Sequence, residues 1–327
     1  MAEQDRADRF DEVVETVIAR PEAAAKPAEP ELAELWRLAV DLVDLPNEGF
    51  RKRLMAALGG RAESMKQAIA TPHIPAGFRS LTPYVIVPGA DRFIGFLKQV
   101  FGAEEIFRMT EPDGSVGHAE VRVGDSMLEL SDGSEEWPPR PVAIHVYVAD
   151  ADASYARAMA AGARSLIAPT DMPYGDREAD VMDPFGNNWY IGTRKEGGPV
   201  PQGLGTLTPT LHVKGTDRLI DFIKQAFGAE ELDRSLAPDG AVMHAQLKLG
   251  DSVLELGEAR GFVKPMPCSI HYYVEDVDSV YASALRAGAT TLGAPSNRPY
   301  GDRAAEVADA FGNHWFIATH VEDVRYR

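Results

Sequence analysis

The sequence predicts an α+β protein built from two tandem copies of one domain, preceded by a helical region. Residues 81–194 align without a gap to residues 207–320 at a constant offset of 126 positions, and roughly half of the aligned residues are identical. This period is too long for a solenoid repeat and suits a whole small domain. Within each repeat, an order of strand, helix and three strands occurs twice, so each repeat should contain two βαβββ units.

The first unit of the first repeat opens with a strand at 82–87 and a helix at 92–101. Apolar residues recur through the helix at helical spacing. Asp91 is the expected N-cap, and Gly102 follows the last apolar residue, where a helix often ends. Turn-forming residues separate three further strands, at 104–108, 117–123 and 126–130.

The second unit repeats this order. Its helix is expected at 152–161, ended by Gly162, and its strands at 142–148, 164–168, 177–182 and 188–193. Turn-forming residues at 183–187 (DPFGN) join the last two strands. One helix covers only one face of a four-stranded sheet, so two units should pair into an eight-stranded cup. The concave interior of such a cup is where a ligand would bind.

Residues 1–75 lie outside the repeats. They contain three amphipathic segments with helical spacing, at 5–20, 31–45 and 50–67. The apolar faces of these helices need a cover, and their own hairpin, the tandem core and another protein chain all stay open. Residues 71–80 and 195–206 are rich in proline and glycine, which indicates linkers.

Composition limits the function. The formal net charge of −17 would repel phosphate backbones, so we expect no nucleic-acid partner. No apolar run approaches the roughly 20 residues that span a bilayer, and the N-terminal segment lacks a secretory hydrophobic region. Cys268 is the only cysteine, which excludes an intrachain disulfide and a four-cysteine zinc site. We therefore expect a cytoplasmic protein without a membrane partner.

Several motifs occur in both repeats: a helix ending in FGAEE, a strand GDSxLEL, and a turn DPFGNNW or DAFGNHW. Together with the paired βαβββ order, they resemble the vicinal oxygen chelate superfamily of glyoxalase I, bleomycin-resistance proteins and extradiol dioxygenases. The segments SIHYYVEDVDSVYASALRAGA and PYGDR…FGNHWFIATHVED are most similar to its PhnB-like branch. The resemblance covers both repeats but not residues 1–75. It implies the fold and a small-molecule site. It does not indicate one reaction, because one such fold supports many reactions.

The resemblance also implies four metal-ligand positions in each repeat. They fall at Thr82, Glu129, Ala143 and Tyr190, and at Thr208, Glu255, Ser269 and Phe316. Only the glutamates can bind a metal ion, and a catalytic centre needs about three protein ligands. We therefore expect no metal and no cofactor. The alternative is a shifted metal site built from His118, Glu129 and His145, or from His244, Glu255 and His271. Acid–base chemistry by a Glu–His pair and a purely structural role for the histidines are further interpretations.

Strand alternation selects the residues that should face the cup. Tyr174 and Arg177, with their counterparts Tyr300 and Arg303, follow a proline-bearing loop at the rim, where they would either clamp a planar or anionic group or pack structurally. Trp189 and Trp315 should pack against the helices. The candidate ligand-binding residues are Tyr84, Glu129, His145, Tyr147, Tyr174, Arg177, Tyr190, Thr210, His212, Glu255, His271, Tyr273, Tyr300, Arg303 and Phe316.

These observations predict a small-molecule-binding protein of the drug-sequestering, antibiotic-resistance type. The ligand should be aromatic or otherwise hydrophobic, and the acidic field favours a cationic one. The two repeats would form an intrachain pseudo-dimer, with further homo-oligomerisation open. Facing residues differ between the repeats, so the two cups should not be equivalent. The alternatives are a metal-dependent lyase, isomerase or dioxygenase, and a protein-interaction module that uses the N-terminal helices.

Overall fold

A computed structural model describes residues 72–195, 200–201, 203–261 and 263–324. The three helices predicted between residues 1 and 75 lie outside the described residues. The first repeat contains β1 (Leu81–Val87), α1 (Ala90–Phe101), β2 (Glu104–Thr110), β3 (Val116–Val123), β4 (Ser126–Asp132), β5 (Ala143–Tyr147), α2 (Ala151–Ala160), β6 (Arg164–Asp171), β7 (Asp176–Met182) and β8 (Asn188–Arg194). The second contains β9 (Leu207–Val213), α3 (Thr216–Phe227), β10 (Glu230–Leu236), β11 (Val242–Leu249), β12 (Ser252–Glu258), β13 (Ser269–Tyr273), α4 (Val277–Arg286), β14 (Thr290–Asn297), β15 (Asp302–Ala308) and β16 (His314–His320). The predicted order of two βαβββ units in each repeat is confirmed.

The sixteen strands of the described ranges form two eight-stranded sheets, and each sheet takes one unit from each repeat. Sheet 1 has the order β14-β15-β16-β13-β1-β4-β3-β2, and sheet 2 has the order β10-β11-β12-β9-β5-β8-β7-β6. Antiparallel pairs join the repeats: Tyr84 of β1 lies opposite Ser269 of β13, and Ala143 of β5 lies opposite Thr210 of β9. The second unit of a repeat therefore completes the sheet that the first unit of the other repeat begins.

The helices and one face of each sheet share a continuous apolar core. Trp189 and Trp315 are fully buried in it, as the alternation along β8 and β16 predicts. Phe101 of α1 packs on Trp189 with ring centroids 4.8 Å apart, and Phe227 of α3 packs on Trp315 at 4.7 Å. Every helix in the described ranges is too short or too polar to cross a lipid bilayer.

The N-terminus of α1 differs from the prediction. Its N-cap is Gly89, with φ 96°, and Asp91 lies in the first turn. The N–H groups of Gly89 and Ala90 donate to the carboxylate of Asp132, each at 2.8 Å. Because Asp132 ends the parallel neighbour β4, the cap comes from a residue distant in sequence, which local helix-start signals do not detect. The predicted end at Gly102 is confirmed, with φ 68°.

The two predicted linkers contain a further piece of the repeat. Phe78 N–H donates to the Pro75 carbonyl at 3.1 Å, and Leu204 N–H donates to the Pro201 carbonyl at 3.1 Å. These turns lie 126 residues apart, like the rest of the repeats. Phe78 packs edge-on against Tyr273 at 5.8 Å, and Leu204 packs in a cluster with Tyr147. The described parts of both segments therefore form apolar covers beside the sheets, although their composition indicates linkers.

Candidate functional site

The face of each sheet that lies opposite the helix-packed core carries most of the candidate residues; we call it the site face. Its centre is a buried ion pair between the repeats. On sheet 1, Nδ1 of His271 lies 2.8 Å from Oε2 of Glu129, and on sheet 2, Nδ1 of His145 lies 3.1 Å from Oε2 of Glu255. In both sheets the glutamate and histidine strands flank a shared neighbour, β1 or β9, and the two side chains meet across it.

In each pair, the partner favours the charged form of both side chains. Burial by itself lowers the pKa of His145, but the Glu255 and Glu178 carboxylates outweigh it and raise this pKa to about 9. Burial likewise raises the pKa of Glu255, yet its attraction to His145 leaves the pKa below the usual value. In the same way, the pKa of His271 is raised and the pKa of Glu129 is lowered. In both histidines Nε2 is buried without a hydrogen-bond partner in the described structure.

Further carboxylates surround the pair on sheet 2. The Tyr147 hydroxyl donates to Asp176 at 3.0 Å, and the Tyr174 hydroxyl donates to Glu178 at 2.8 Å. Asp180 lies on the same strand and is only 6% exposed. Burial first, and then the nearby Glu178 carboxylate, raise the pKa of Asp180 to about 7. The site face of sheet 2 thus concentrates acidic groups around one positively charged histidine.

The site face of sheet 1 has the same plan with different contacts. The Tyr273 hydroxyl donates to Asp302 at 3.3 Å, in the position that Tyr147 and Asp176 hold on sheet 2. Arg298 Nη2 donates to Glu306 Oε1 at 2.8 Å. Aromatic rings extend this face: Tyr84 and Phe316 are 5.1 Å apart between centroids, and Trp137 and Phe316 are 5.8 Å apart.

Most of the remaining candidates also reach these faces. Tyr190 hydroxyl and His212 Nε2 are 2.8 Å apart on sheet 2, and Thr210 donates to Glu255 at 3.4 Å. Tyr300 and Tyr174 are the more exposed residues of the set, at 45% and 65%. Several further residues on these faces were not predicted, although period-two alternation through DREAD and DRAAE indicates them: Asp176, Glu178, Asp180, Asp302 and Glu306.

Two predicted rim residues do not belong to the site. Arg177 donates to both carboxylate oxygens of Asp152 on α2, at 2.7 and 2.8 Å. Arg303 makes the equivalent bonds to Asp278 on α4, at 2.6 and 2.7 Å. Because neighbouring strand residues point to opposite faces, an arginine that follows the site-facing Asp176 must point to the helix side.

The proposed shifted metal site is not assembled. His118 Nε2 lies 3.9 Å from Glu129, but His145 belongs to sheet 2 and contacts Glu255, because the units exchange between repeats. In the second repeat, His244 and Glu255 lie on sheet 2, whereas His271 lies on sheet 1.

Across the described ranges, no group of three or more His, Cys, Asp or Glu side chains is arranged to hold a metal ion. The one histidine and one glutamate nearest to the family positions are already bonded to each other in each sheet. The donor set therefore does not fit a chelate centre.

Comparisons with known proteins identify the repeats. The family model described as Glyoxalase/Bleomycin resistance protein/Dioxygenase superfamily matches residues 78–191 and again residues 205–317. An uncharacterized protein of Mycobacterium tuberculosis is 36% identical over 124 residues, which is 35% of this chain and 73% of that protein. One of Mycobacterium bovis is 36% identical over 124 residues, which covers 82% of its length.

Among solved structures, glyoxalase I from Zea mays superimposes with a TM-score of 0.57. The match covers 74% of this chain and 92% of the maize enzyme at 20% sequence identity. At this identity the similarity shows the fold alone.

Proposed function

The chain belongs to the glyoxalase/bleomycin resistance protein/dioxygenase superfamily, and we propose that it binds aromatic, positively charged small molecules on the site faces of its sheets. One observation carries the proposal. Each site face has a buried Glu–His pair that is ringed by further carboxylates and by tyrosine or phenylalanine rings.

The charged side chains around the Glu–His pairs determine which sign of charge a ligand should carry. Over the described residues, the carboxylates that act on His145 are Glu255, Glu178, Asp176 and Asp180, and those that act on His271 are Glu129, Asp302 and Glu120. A second histidine lies near each glutamate, His244 near Glu255 and His118 near Glu129. Four carboxyl groups therefore lie around His145, and three lie around His271. Such a surplus of negative charge attracts a cation and disfavours an anion.

Aromatic side chains on the site faces favour a ligand with an aromatic ring. Tyr84 and Phe316 line sheet 1, and Tyr190 and Tyr174 line sheet 2. An aryl group packs on such rings, and a cation beside them gains a further electrostatic attraction. An aromatic molecule with a charged nitrogen satisfies both features.

We propose sequestration of this ligand rather than its conversion, since the donor set does not fit the metal centre on which chelate chemistry depends. A role in antibiotic resistance and a place in the PhnB-like branch are parts of the same proposal. A cytoplasmic location stays our prediction from the single cysteine.

An acid–base isomerase is a second candidate, and one observation favours it. Nε2 of His145 and of His271 is buried without a hydrogen-bond partner, while Nδ1 is held by a carboxylate. A histidine held in this way can exchange a proton with a bound molecule. Chemical change of a bound ligand, followed by NMR and lost in His145→Gln and His271→Gln variants, would distinguish this candidate from sequestration.

A thermal-shift screen of the full chain tests the main proposal. We expect aromatic cations to raise the melting temperature, because a ligand that binds only the folded state stabilises it by mass action. Neutral and anionic molecules of matched shape should have little effect, and EDTA should not change the result. Equal stabilisation by neutral analogues, or loss of binding on chelation, would contradict the proposal.

A further inference from the structure

Asp180 is a buried carboxylate for which the described residues provide no counter-ion of its own. It is 6% exposed, and its Oδ1 is fully buried without a hydrogen-bond partner in the described structure. Its charged neighbours are Glu178 on its own strand and His145 on β5, and the phenols of Tyr190 and Tyr174 lie near it. His145 is already paired with Glu255 through a hydrogen bond. A buried carboxylate of this kind is costly unless a positive group pairs with it.

On sheet 1, the carboxylate at the equivalent position has a cationic partner. Glu306 lies 126 residues after Asp180 and accepts a hydrogen bond from Arg298 Nη2 at 2.8 Å. The residue equivalent to Arg298 is Met172. The backbone of the two loops agrees, because Arg298 N–H donates to Asp302 carbonyl at 2.7 Å and Met172 N–H donates to Asp176 carbonyl at 2.8 Å. The difference is therefore the loss of a guanidinium and not a change of loop.

A second exchange makes sheet 2 still more acidic beside Asp180. Glu178 occupies the position of Ala304, is 8% exposed and lies 3.6 Å from Nε2 of His145. Sheet 1 thus neutralises its outer carboxylate within the chain, whereas sheet 2 has an additional carboxylate and no arginine at this place.

From this comparison we infer that sheet 2 is the ligand-binding face, and that Asp180 is the counter-ion for an ammonium, amidinium or guanidinium group with N–H donors. The ligand's cation would take the place that the Arg298 guanidinium has on sheet 1. Because Oδ1 of Asp180 needs a hydrogen-bond donor, a quaternary ammonium should bind less well. Tyr190 is the cross-strand neighbour of Asp180 and offers its ring to the aryl group. This assignment rests on the proposed function.

Calorimetric titration of the full chain tests the assignment with three probes of similar size. They are benzamidinium, which carries N–H donors, benzyltrimethylammonium, which has the charge without donors, and neutral benzyl alcohol. We expect benzamidinium to bind at one site per chain and to bind at least about tenfold more tightly than the other two. No benzamidinium binding at millimolar concentration would overturn this assignment, and failure of both cations to bind would overturn the proposed function as well.

Three variants localise the site. Asp180→Asn and Met172→Arg should each weaken benzamidinium binding about ten- to hundredfold, the second because its guanidinium occupies the site. Arg298→Met should add a second site on sheet 1, so that the stoichiometry changes from one to two. Asp152→Asn removes an equal charge from α2, where Asp152 pairs with Arg177, and should leave binding unchanged.

Circular dichroism establishes that each variant is folded. If benzamidinium binds Asp180→Asn as tightly as the parent, the assignment to sheet 2 is wrong while the proposed function stands. The same holds if benzyltrimethylammonium binds as tightly as benzamidinium.

Discussion

At the scale of single residues, the buried pair of His145 and Glu255 links stability to pH. The pKa of His145 is raised in the folded state to about 9, so its contribution is complete below the unfolded value near 6.5 and is lost as pH rises through 9. The pKa of Glu255 is lowered, so its contribution is present above its ordinary value of 4.5 and is lost in acid. The pair therefore stabilises the fold most in weakly acidic solution.

His145→Gln tests this pair. At about pH 6 the substitution should lower the free energy of unfolding by about 3–5 kcal/mol, because it leaves the Glu255 carboxylate buried without its partner. The loss should become smaller above about pH 9, where His145 is neutral in the parent too. Urea unfolding at both pH values measures it. A double variant with Glu255→Gln should recover part of the loss, and strict additivity of the two changes would contradict the pairing.

Asp180 should act in the opposite sense, as a site that costs stability. Its pKa is raised from 3.8 to about 7, so the folded state holds a proton that the unfolded state releases, and stability falls as pH rises between these values. We expect Asp180→Asn to stabilise the protein by about 2–4 kcal/mol at about pH 8, and by less at about pH 5.

Thermal unfolding of the two proteins at both pH values checks this prediction. The matched control is Glu306→Gln, which should destabilise the protein because it removes the partner of Arg298. A destabilised Asp180→Asn variant at the higher pH would contradict the account.

At the scale of elements, strand-end carboxylates hold the helices to the sheets. Asp132 accepts hydrogen bonds from the N–H groups of Gly89, Ala90 and Val116, at 2.8, 2.8 and 2.7 Å. Glu258 does the same for Gly215 and Thr216 at the start of α3. Each carboxylate connects a helix N-terminus to the strand beside it. Its negative charge also interacts favourably with the positive end of the helix dipole.

Asp132→Ala should lower the free energy of unfolding by about 1–3 kcal/mol, because three backbone donors lose their acceptor. Asp91→Ala is the control, since the ion pair of Asp91 within the described residues is an exposed one with Arg108, and its loss should cost at most about 1 kcal/mol. Chemical unfolding of both variants provides the comparison. An equal or larger loss for Asp91→Ala would support the local cap that the sequence predicts and contradict the structure.

The same elements show what the sequence can predict. Alternation within one strand depends on local geometry, so it placed Glu129, Tyr84 and Phe316 on the site face and Trp189 in the core. Pairing between strands is a different matter. Because the two repeats have the same hydrophobic pattern, β1 fits beside β5 or beside β13 equally well by pattern, and only the tertiary structure distinguishes them.

The Glu–His partners follow from that choice. The sequence indicated His145 and His271, but the alternative metal site grouped each with the glutamate of its own repeat, whereas each contacts the glutamate of the other repeat. The counter-ions were missed for a similar reason. Arg298 is adjacent to Glu306 only because β14 and β15 fold together, and its absence beside Asp180 has meaning only when the two faces are superimposed.

At the scale of the whole molecule, residues 74–319 form one compact unit in which neither repeat completes a sheet by itself. We therefore expect this part of the chain to unfold in a single cooperative transition. Leu128→Ala, a fully buried change in the first repeat, should lower the melting temperature of the entire transition and cost about 2–5 kcal/mol. Scanning calorimetry measures both. Two separate transitions, with only one shifted by the variant, would contradict the exchange of units between the sheets.

A comparison of the two site faces indicates different roles for the two sheets. Sheet 1 satisfies its outer carboxylate with Arg298, while sheet 2 leaves Asp180 for a cation from solution. On this proposal, the exchanges at Met172 and Glu178 give one chain a face that is neutralised internally and a face that binds a cation.

A crystal structure of the full chain grown with benzamidinium tests the central claim most directly. Our account predicts the amidinium within hydrogen-bond distance of Asp180, its ring beside Tyr190, and the His145–Glu255 pair intact. A transition-metal ion coordinated by Glu255 and His145, or the amidinium bound at Glu306 with Asp180 empty, would contradict it.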